Sequence, residues 1–211
     1  KFSVSCQHYS FAVNAFVDLI KEYDADQYSF IIRETQTGEI IEDVAQRKSE
    51  IGLLYLNDFN RTALQKLLRG ADLDFTPLFT AHAHVFLSSD HPLSGARAVS
   101  FDDLASYPYL SFEQGDHNSF YFSEEIFSPA VRSKNIRVRD RATLFNLLIG
   151  LQGYTVCSGV IDSKLNGENI VAVPLTGVAP MEIGYILPAG VQPGSLCRAY
   201  IENLKQYVPI D

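Results

Sequence analysis

The chain has 211 residues, of which 46% are hydrophobic and 20% charged, as is usual for a soluble globular protein of one large domain or two lobes. Its formal net charge is −8 with only 17 Lys and Arg, which argues against a basic face that grips nucleic-acid phosphates. No apolar run approaches the ~18 residues of a membrane helix, so no membrane contact is expected.

The cysteines and the start of the chain bear on its compartment. Cys6, Cys157 and Cys197 are widely spaced and odd in number, so they are no disulfide framework and favour a reducing compartment. The chain opens at Lys1 inside a strand pattern, without a Met or a signal peptide. We therefore expect a cytoplasmic protein and an excised domain.

The first third of the chain alternates strand and helix patterns. Short apolar and β-branched segments predict strands at 2–7, 28–33 and 51–56. Helices are predicted at 11–23, from 37 to about 48, and from 57 or 60 to 70. Their expected N-caps are Ser10, Thr37 and Asn57 or Asn60. Such a βαβαβα series implies a parallel sheet with right-handed crossovers.

A second series of elements starts near residue 79. The segment 79–93 predicts a strand and then a turn at His91-Pro92, and Ser100 with Asp103 predicts a capping box on a short helix. Further strands are predicted at 109–112, 136–138, 154–157, 170–173 and 181–187, and helices at 118–127, 142–151 and 193–208. Asp140 is the expected cap of the helix 142–151, Gly153 its left-handed terminator, and Ser195 the cap of the last helix.

The order of these motifs over essentially the whole chain resembles one family. The segments 79–93 and 99–104 follow the pattern at the start of the second lobe in the effector-binding domain of LysR-type transcriptional regulators. The segment 50–54, Pro77-Leu78-Phe79 and the helix, glycine turn and strand of 144–157 also match that family in position.

The chain departs from the family pattern at three places. Glu50 replaces the usual Asp, the family's tight Gly-x-Gly is spread to Gly150 and Gly153, and Ser158 stands where a proline is common. No single motif is specific, so the resemblance rests on the order and spacing of all of them.

The resemblance implies an α/β fold of two Rossmann-like lobes joined by two crossover strands, as in type 2 periplasmic binding proteins. Lobe I would be residues 1–77 plus 178–211, and lobe II residues 78–177. Ligands of open parallel sheets lie beyond the carboxyl ends of the strands, where helix N-termini present free amides. A small polar metabolite is therefore expected in the cleft between the lobes.

Polar residues at the predicted strand ends are candidate ligand contacts, and each has a structural alternative as a cap, a turn or a solvated residue. In lobe I the candidates are Gln7, His8, Tyr9, Ser10, Thr37 and Asn57. In lobe II they are Glu113, Gln114, His117, Thr143 and Tyr154.

Metal binding and catalysis are weaker interpretations. His82 and His84 share a face of a strand, but no Cys or carboxylate at ligand spacing joins them, so no metal is expected. Cys6 and His8 also share a face, yet Cys6 belongs to an apolar strand, where a thiol is usually inert. No nucleophile elbow, phosphate loop or paired carboxylate motif is present, so neither catalysis nor a cofactor is expected.

The helix 11–20 carries eight apolar residues in ten, with Asn14 and Asp18 as a polar stripe. A helix so apolar must be buried on more than one side. Its own sheet accounts for one side, and a second copy of the chain or deeper burial within the monomer for the other. By the resemblance we expect an antiparallel homodimer that pairs it with the helix 118–127. The predicted interface comprises Phe11, Asn14, Ala15, Phe16, Asp18, Leu19, Phe120, Phe122 and Phe127.

The leading hypothesis is the ligand-sensing domain of a LysR-type regulator, which would form a dimer, or a tetramer in the full-length protein. It would contact DNA only through an N-terminal winged helix-turn-helix that is not in this sequence. Its effector would act by differential affinity for two lobe arrangements. The alternative is a free-standing solute-binding protein of a transporter. A small bilobal transferase or dehydratase would need a catalytic group in the cleft, and the sequence names none.

Overall fold

The computed structural model describes residues 1–115, 120–126, 132–160 and 168–208. The chain forms two compact units, Lys1–Thr80 with Glu182–Asp211 (unit 1) and Ala81–Met181 (unit 2). The lobes expected from the sequence have their boundaries a few residues earlier. Among the described residues, no helix has the length and apolar character needed to cross a bilayer.

The strands and helices follow the predicted order. The strands are β1 Phe2–Cys6, β2 Phe30–Glu34, β3 Ile51–Leu56, β4 Leu73–Ala81, β5 His84–Ser88, β6 Tyr109–Phe112, β7 Asn135–Val138, β8 Thr155–Cys157, β9 Ile170–Pro174 and β10 Met181–Pro188. The helices are α1 Ser10–Glu22, α2 Thr37–Ala45, α3 Arg61–Gly70, α4 Phe101–Leu104, α5 Arg141–Leu151 and α6 Ser195–Lys205.

Unit 1 contains a five-stranded sheet in the order β2-β1-β3-β10-β4. β1 pairs in parallel with β2 and β3, as the βαβαβ pattern predicts, and β10 runs antiparallel to β3. Every residue of β1 and β3 is buried, which explains the near-continuous apolar sequence of β3. The two serines of β1 are accommodated by hydrogen bonds, from Ser3 Oγ to the Lys48 carbonyl and from Ser5 Oγ to Asp43 Oδ2. Gly52 lets α2 approach the sheet, because a Cβ there would lie 2.8 Å from both Ile40 Cγ2 and Ile186 Cγ1.

Helix α1 is covered on its second side by the same chain. The Tyr200 hydroxyl on α6 donates to the Ala12 carbonyl at 2.8 Å, and the Tyr200 ring contacts Phe16 with centroids 6.0 Å apart. Four predicted interface residues are buried in the core of unit 1: Phe11, Ala15, Phe16 and Leu19. For these residues the structure shows burial within the chain, the alternative to a partner surface.

The predicted polar stripe of α1 is also drawn into unit 1. Asn14 is buried, and Asp18 is half-buried and accepts a hydrogen bond from the Tyr207 hydroxyl. The outward side of α1 is instead the half-exposed strip of Val13, Val17 and Ile20, which share a face at helical spacing.

Three predicted N-caps are off by one residue. Each expected cap is the first helical residue, and the residue before it holds the extended cap conformation: Tyr9 before Ser10, Gln36 before Thr37, and Gly194 before Ser195. Thr37 is not the N-cap of α2. Its hydroxyl oxygen accepts a hydrogen bond from the side chain of Gln7.

Unit 2 contains an antiparallel sheet in the order β8-β5-β9 and the parallel pair β6-β7. Its core includes Phe86, Leu110, Val138, Leu144, Leu148 and Ile170. Two predicted caps are confirmed. Ser100 and Asp103 form the capping box of α4, and Asp140 Oδ1 accepts from the Thr143 amide at the start of α5.

The terminator of α5 differs from the prediction. Gln152, with φ of 52°, holds the left-handed position, not Gly153. The glycine is required by packing instead, because a Cβ on Gly153 would lie 2.4 Å from Leu110 Cδ1.

The predicted helix 118–127 is wrong in its described part. Within residues 120–126 only a short 3-10 helix, Phe120–Phe122, is present. Ser123 interrupts it, because its hydroxyl donates to the Glu125 carbonyl at 3.0 Å and accepts from the Glu125 amide at 3.3 Å. Phe127 and His117 lie outside the described residues.

Candidate functional site

The carboxyl ends of β1, β2 and β3 lie at one edge of the unit 1 sheet, because these strands are parallel. The segments that follow them are 7–10, 35–37 and 57–60, which contain the unit 1 residues predicted from the sequence. We call this edge the carboxyl edge.

A buried hydrogen-bond network holds the loops of the carboxyl edge together. Gln7 Nε2 donates to Thr37 Oγ1 at 2.8 Å, while Gln7 Oε1 accepts from the Tyr9 hydroxyl at 2.7 Å and the Tyr55 amide at 3.2 Å. Gln7 is 1% and Thr37 0% exposed, and Tyr9 and Ser10 are buried too. Three of the predicted contacts, Gln7, Tyr9 and Thr37, therefore meet, but as an internal support.

Asn57 and Asn60 form a reciprocal turn after β3. Asn57 Oδ1 accepts from the amides of Phe59 and Asn60 at 3.1 and 2.9 Å, and Asn60 Oδ1 accepts from the Asn57 amide at 2.8 Å. The turn presents Asp58 and Phe59 outward, and Phe59 is 41% exposed. Sequence reasoning missed these two residues, although the Asn-x-x-Asn spacing signals a turn with two displayed positions.

Of the six unit 1 contacts predicted from the sequence, only His8 is among the accessible side chains of the carboxyl edge. His8, Thr35 and Gln36 are half-exposed, and Asp58 and Phe59 are exposed. The set combines an imidazole, a hydroxyl, an amide, a carboxylate and an aromatic ring. These groups suit a small polar ligand that also has a flat or apolar face.

The helix N-termini at this edge differ in charge. The first turn of α2 contains Glu39, whose carboxylate accepts from the Thr35 hydroxyl. The first turn of α1 contains no acidic residue, and its N-cap Tyr9 makes no side-chain capping bond. The positive ends of the α1 and α3 dipoles are therefore not offset by a carboxylate in their own first turns, which favours an anionic group beside them.

The unit 2 candidates at the ends of β6 and β7 are already paired. Glu113 Oε1 lies 2.5 Å from Arg139 Nε, and Gln114 Nε2 donates to Glu124 Oε2 at 3.2 Å. The Thr143 hydroxyl donates to Asp140 Oδ2 at 2.7 Å. Glu113, Gln114 and Thr143 thus have internal partners, and a ligand would have to compete with them.

Tyr154 is a core residue of unit 2. It is buried, its ring lies 5.4 Å from that of Tyr109, and the Arg132 guanidinium lies 3.9 Å from the Tyr109 ring centre. Burial raises the pKa of Tyr154, and the neighbouring Arg132 partly opposes this. The phenol is therefore a buried neutral group rather than an accessible ligand contact.

His82 and His84 do not form a chelating pair. His84 Nδ1 lies 2.7 Å from the His82 carbonyl oxygen, and the His84 ring packs where a Cβ on Gly159 would lie. Within the part of the chain that the structure describes, no three potential ligand side chains converge on one point.

The three cysteines are in environments that disfavour the thiolate. Cys6 and Cys197 are buried, and Cys157 is partly buried. Burial raises the pKa of Cys197 to about 12 and that of Cys157 even further. Because the thiolate is the reactive form, all three thiols should be slow nucleophiles.

We expect the folded chain to react with Ellman's reagent at pH 8 at least about tenfold more slowly than the urea-unfolded chain, since thiolate formation is suppressed. Absorbance of the released thionitrobenzoate measures this. The same assay on Cys157→Ser is the control for the one thiol that is partly exposed. A rapid stoichiometric phase in the folded wild type would contradict the expectation.

The comparisons with known proteins agree on one family. A family model for the LysR substrate binding domain matches residues 8–209. The reduced OxyR regulatory domain from Pseudomonas aeruginosa is similar with 15% identity and a TM-score of 0.67, covering 97% of each chain. The effector binding domain of QuiR in complex with shikimate has 14% identity and a TM-score of 0.63, covering 98% of this chain and 95% of that one.

A putative LysR family regulator from Pseudomonas aeruginosa has 15% identity and a TM-score of 0.63, covering 97% of this chain and 69% of that one. Curated proteins give no match. At these identities the structural likeness shows the fold alone. The α/β fold of the type 2 periplasmic-binding-protein kind, expected from the sequence, is confirmed.

Proposed function

The chain belongs to the LysR substrate binding domain family, and from that premise we propose that its effector is a small metabolite that carries a carboxylate. The matched family, together with the similarity to a putative LysR family regulator, favours this function over a transporter receptor. The observation that carries the proposal is the first turn of α1, which has no acidic residue and meets the half-exposed His8 at the carboxyl edge.

The chemistry of the edge supports a carboxylate more than a cation. His8 can donate a hydrogen bond to an anion. The amides at the start of α1 are also donors and also favour a negative charge. Phe59 offers an exposed ring for an apolar part of the ligand. Placement of this ligand between the two lobes, against residues 113–117, stays a prediction from the resemblance.

The experiment is a titration of the chain with shikimate and a panel of small hydroxy and aromatic carboxylates, followed by calorimetry. Shikimate is the first probe because the structurally similar QuiR domain was solved with it. We expect His8→Ala to weaken binding of an active carboxylate about tenfold, the effect of one hydrogen bond to a charged group. The exposed His82 in unit 2 provides a matched control, and His82→Ala should bind like the wild type.

Equal binding by His8→Ala and the wild type would contradict this site. A panel in which amines bind and carboxylates do not would contradict the ligand class. In the parent regulator the effector would act by binding one conformation of the domain more tightly than another. DNA contact would need another part of that protein, because this chain carries a net charge of −8.

We also propose that the domain forms a homodimer through apolar side chains that its own fold leaves exposed. The remaining apolar strip of α1 is Val13, Val17 and Ile20. Helix α5 is apolar around most of its circumference, yet it leaves Ile149 and Leu151 45% and 47% exposed. Exposed apolar strips of this kind commonly mark interfaces.

Val17→Asp and Ile149→Asp are each expected to convert the dimer to a monomer, because a carboxylate would be desolvated in the interface. Sedimentation velocity over a concentration series measures the mass. Leu67→Asp on α3 is the matched control, since Leu67 is 45% exposed like Ile149. A wild type that stays monomeric at high concentration would refute the dimer.

A further inference from the structure

A pocket of about 160 Å³ lies within unit 1, away from the carboxyl edge. Glu50 directly precedes β3, and Leu187 and Pro188 end the antiparallel β10, so the pocket opens at the amino end of β3. We call it the amino-end pocket. Its lining residues are Arg47, Ser49, Glu50, Leu187, Pro188, Val191, Gln192, Pro193, Gly194 and Cys197.

One wall of the amino-end pocket is held by a buried polar network. The amides of Lys48 and Ser49 donate to the Asp43 carbonyl at 2.8 and 3.0 Å, and Ser5 Oγ donates to Asp43 Oδ2 at 2.6 Å. Arg47 is held at φ of 59° in this turn. A residue kept in a left-handed conformation implies that its surroundings fix it, so the wall is preorganised.

The opposite wall is the connection between β10 and α6. The Ala189 amide donates to the Asp72 carbonyl at 2.8 Å, and Gly190 turns the chain with φ of 70°. Val191 and Pro193 then add apolar surface beside Leu187. The lining therefore combines the apolar side chains of Leu187, Val191 and Pro193 with the charged side chains of Arg47 and Glu50.

The two charged lining residues have opposite signs. Neither Arg47 nor Glu50 forms an ion pair within the described parts of the chain. Partial burial raises the pKa of Glu50. The carboxylate is thus incompletely solvated and would be stabilised by a cation.

The start of α6 is a second anion-favouring group in the lining of the pocket, in addition to Arg47. Its N-cap, Gly194, lines the pocket and has no side chain to cap the helix, and the first turn contains no acidic residue. An anion placed there would be stabilised by the positive end of the helix dipole, and the Arg47 side chain lines the same pocket.

We propose that the amino-end pocket binds a small aliphatic α-amino acid, with its ammonium at Glu50 and its carboxylate at Arg47 and the first turn of α6. The opposite charges of Arg47 and Glu50 match the two charges of a zwitterion. The apolar lining of Leu187, Val191 and Pro193 suits an aliphatic side chain. An enclosed cavity of about 150 Å³ holds benzene, so a pocket of this size that is open to solvent suffices for valine.

The test titrates the 15N-labelled chain with L-valine and with two analogues that each lack one charge, isovalerate and isobutylamine. We expect L-valine to shift amide signals of residues 47–50 and 187–197. Each analogue should bind at least about tenfold more weakly, because each loses one charge-assisted interaction. Equal binding by either analogue, or valine shifts confined to the carboxyl edge, would overturn the proposal.

Variants assign the roles of the two charges. Glu50→Gln should weaken valine binding about tenfold while the spectrum remains that of the folded chain, since Glu50 is exposed enough to be replaced without repacking. Arg47→Asn removes the guanidinium, and it should weaken valine binding by a similar factor. Asparagine is chosen because it tolerates the positive φ of this position. Glu42→Gln, at an exposed position on α2, is the matched control. Unchanged affinity in both pocket variants, or no saturable shifts with wild type at millimolar valine, would also refute the site.

Discussion

Phe16→Ala is expected to lower the free energy of unfolding by about 3–5 kcal/mol, a large part of the ~5–15 kcal/mol that stabilises a typical domain. Phe16 is only 6% exposed, and its ring lies 6.3 Å from that of Phe2, 5.9 Å from Phe30 and 6.0 Å from Tyr200. Truncation removes apolar contacts with three rings and leaves a cavity that they cannot all move to fill.

Urea unfolding followed by far-UV circular dichroism measures this loss. Val17→Ala, one residue along at a half-exposed position, should cost less than about 1 kcal/mol. A Phe16→Ala variant that keeps the wild-type midpoint but becomes monomeric would instead place Phe16 in a subunit interface.

Glu125→Gln is expected to remove a pH-dependence of stability in unit 2. Glu125 is 2% exposed, and its Oε1 accepts from the Phe112 amide at 2.9 Å. Burial, reinforced by the neighbouring negative charge of Glu124, raises the pKa of Glu125 to about 8. An unfolded glutamate ionises near pH ~4.3, so the folded chain holds this proton more tightly than the unfolded chain.

The sign of the effect follows from that difference. The stability contribution of protonated Glu125 is fully present below about pH 4 and is lost as the pH rises through about 8. The wild type should therefore lose stability between about pH 5 and 8, at up to ~1.4 kcal/mol per pH unit. Glu125→Gln should be less pH-dependent and more stable than the wild type at pH 8.

Urea titrations at several pH values measure this, and the wild-type minus variant difference cancels the titration of other groups. The exposed Glu42→Gln should retain the wild-type slope. Parallel curves for the wild type and Glu125→Gln would show that the carboxyl is ionised in the folded chain at neutral pH.

Features governed by neighbours in sequence were predictable. The bounds of β3 and β6 agree with the predicted 51–56 and 109–112, because apolar β-branched and aromatic runs between turns are local signals. The caps at Ser100 and Asp140 depend on a residue three positions away, so the sequence pattern suffices for them.

Features governed by distant contacts were not predictable. Nothing near Phe16 indicates that Tyr200 covers it, so its apolar surroundings were equally compatible with a second copy of the chain. The Ser123 hydroxyl bonds to the backbone of Glu125 and competes with helical hydrogen bonds there, although the two glutamates that follow it are good helix formers.

The candidate site shows the same division. Position at a strand end follows from the βα alternation, and the unit 1 candidates do lie there. Accessibility does not follow from it, because the Gln7 side chain turns inward to Thr37, 30 residues away, and leaves His8 as the accessible group of its loop. Asp58 and Phe59 are accessible only because the two asparagines bend the backbone between them.

The interruption of unit 1 by unit 2 affects how the chain folds during synthesis. β10 lies between β3 and β4, and α6 covers α1, yet both come from residues after 180. The first 80 residues must therefore leave the ribosome with the middle of their sheet unfilled and Phe16 uncovered, and wait while all of unit 2 is translated. Such late, sequence-distant pairing slows folding and leaves apolar surface exposed, so unit 1 should complete its fold only after residues 181–205 have emerged from the ribosome.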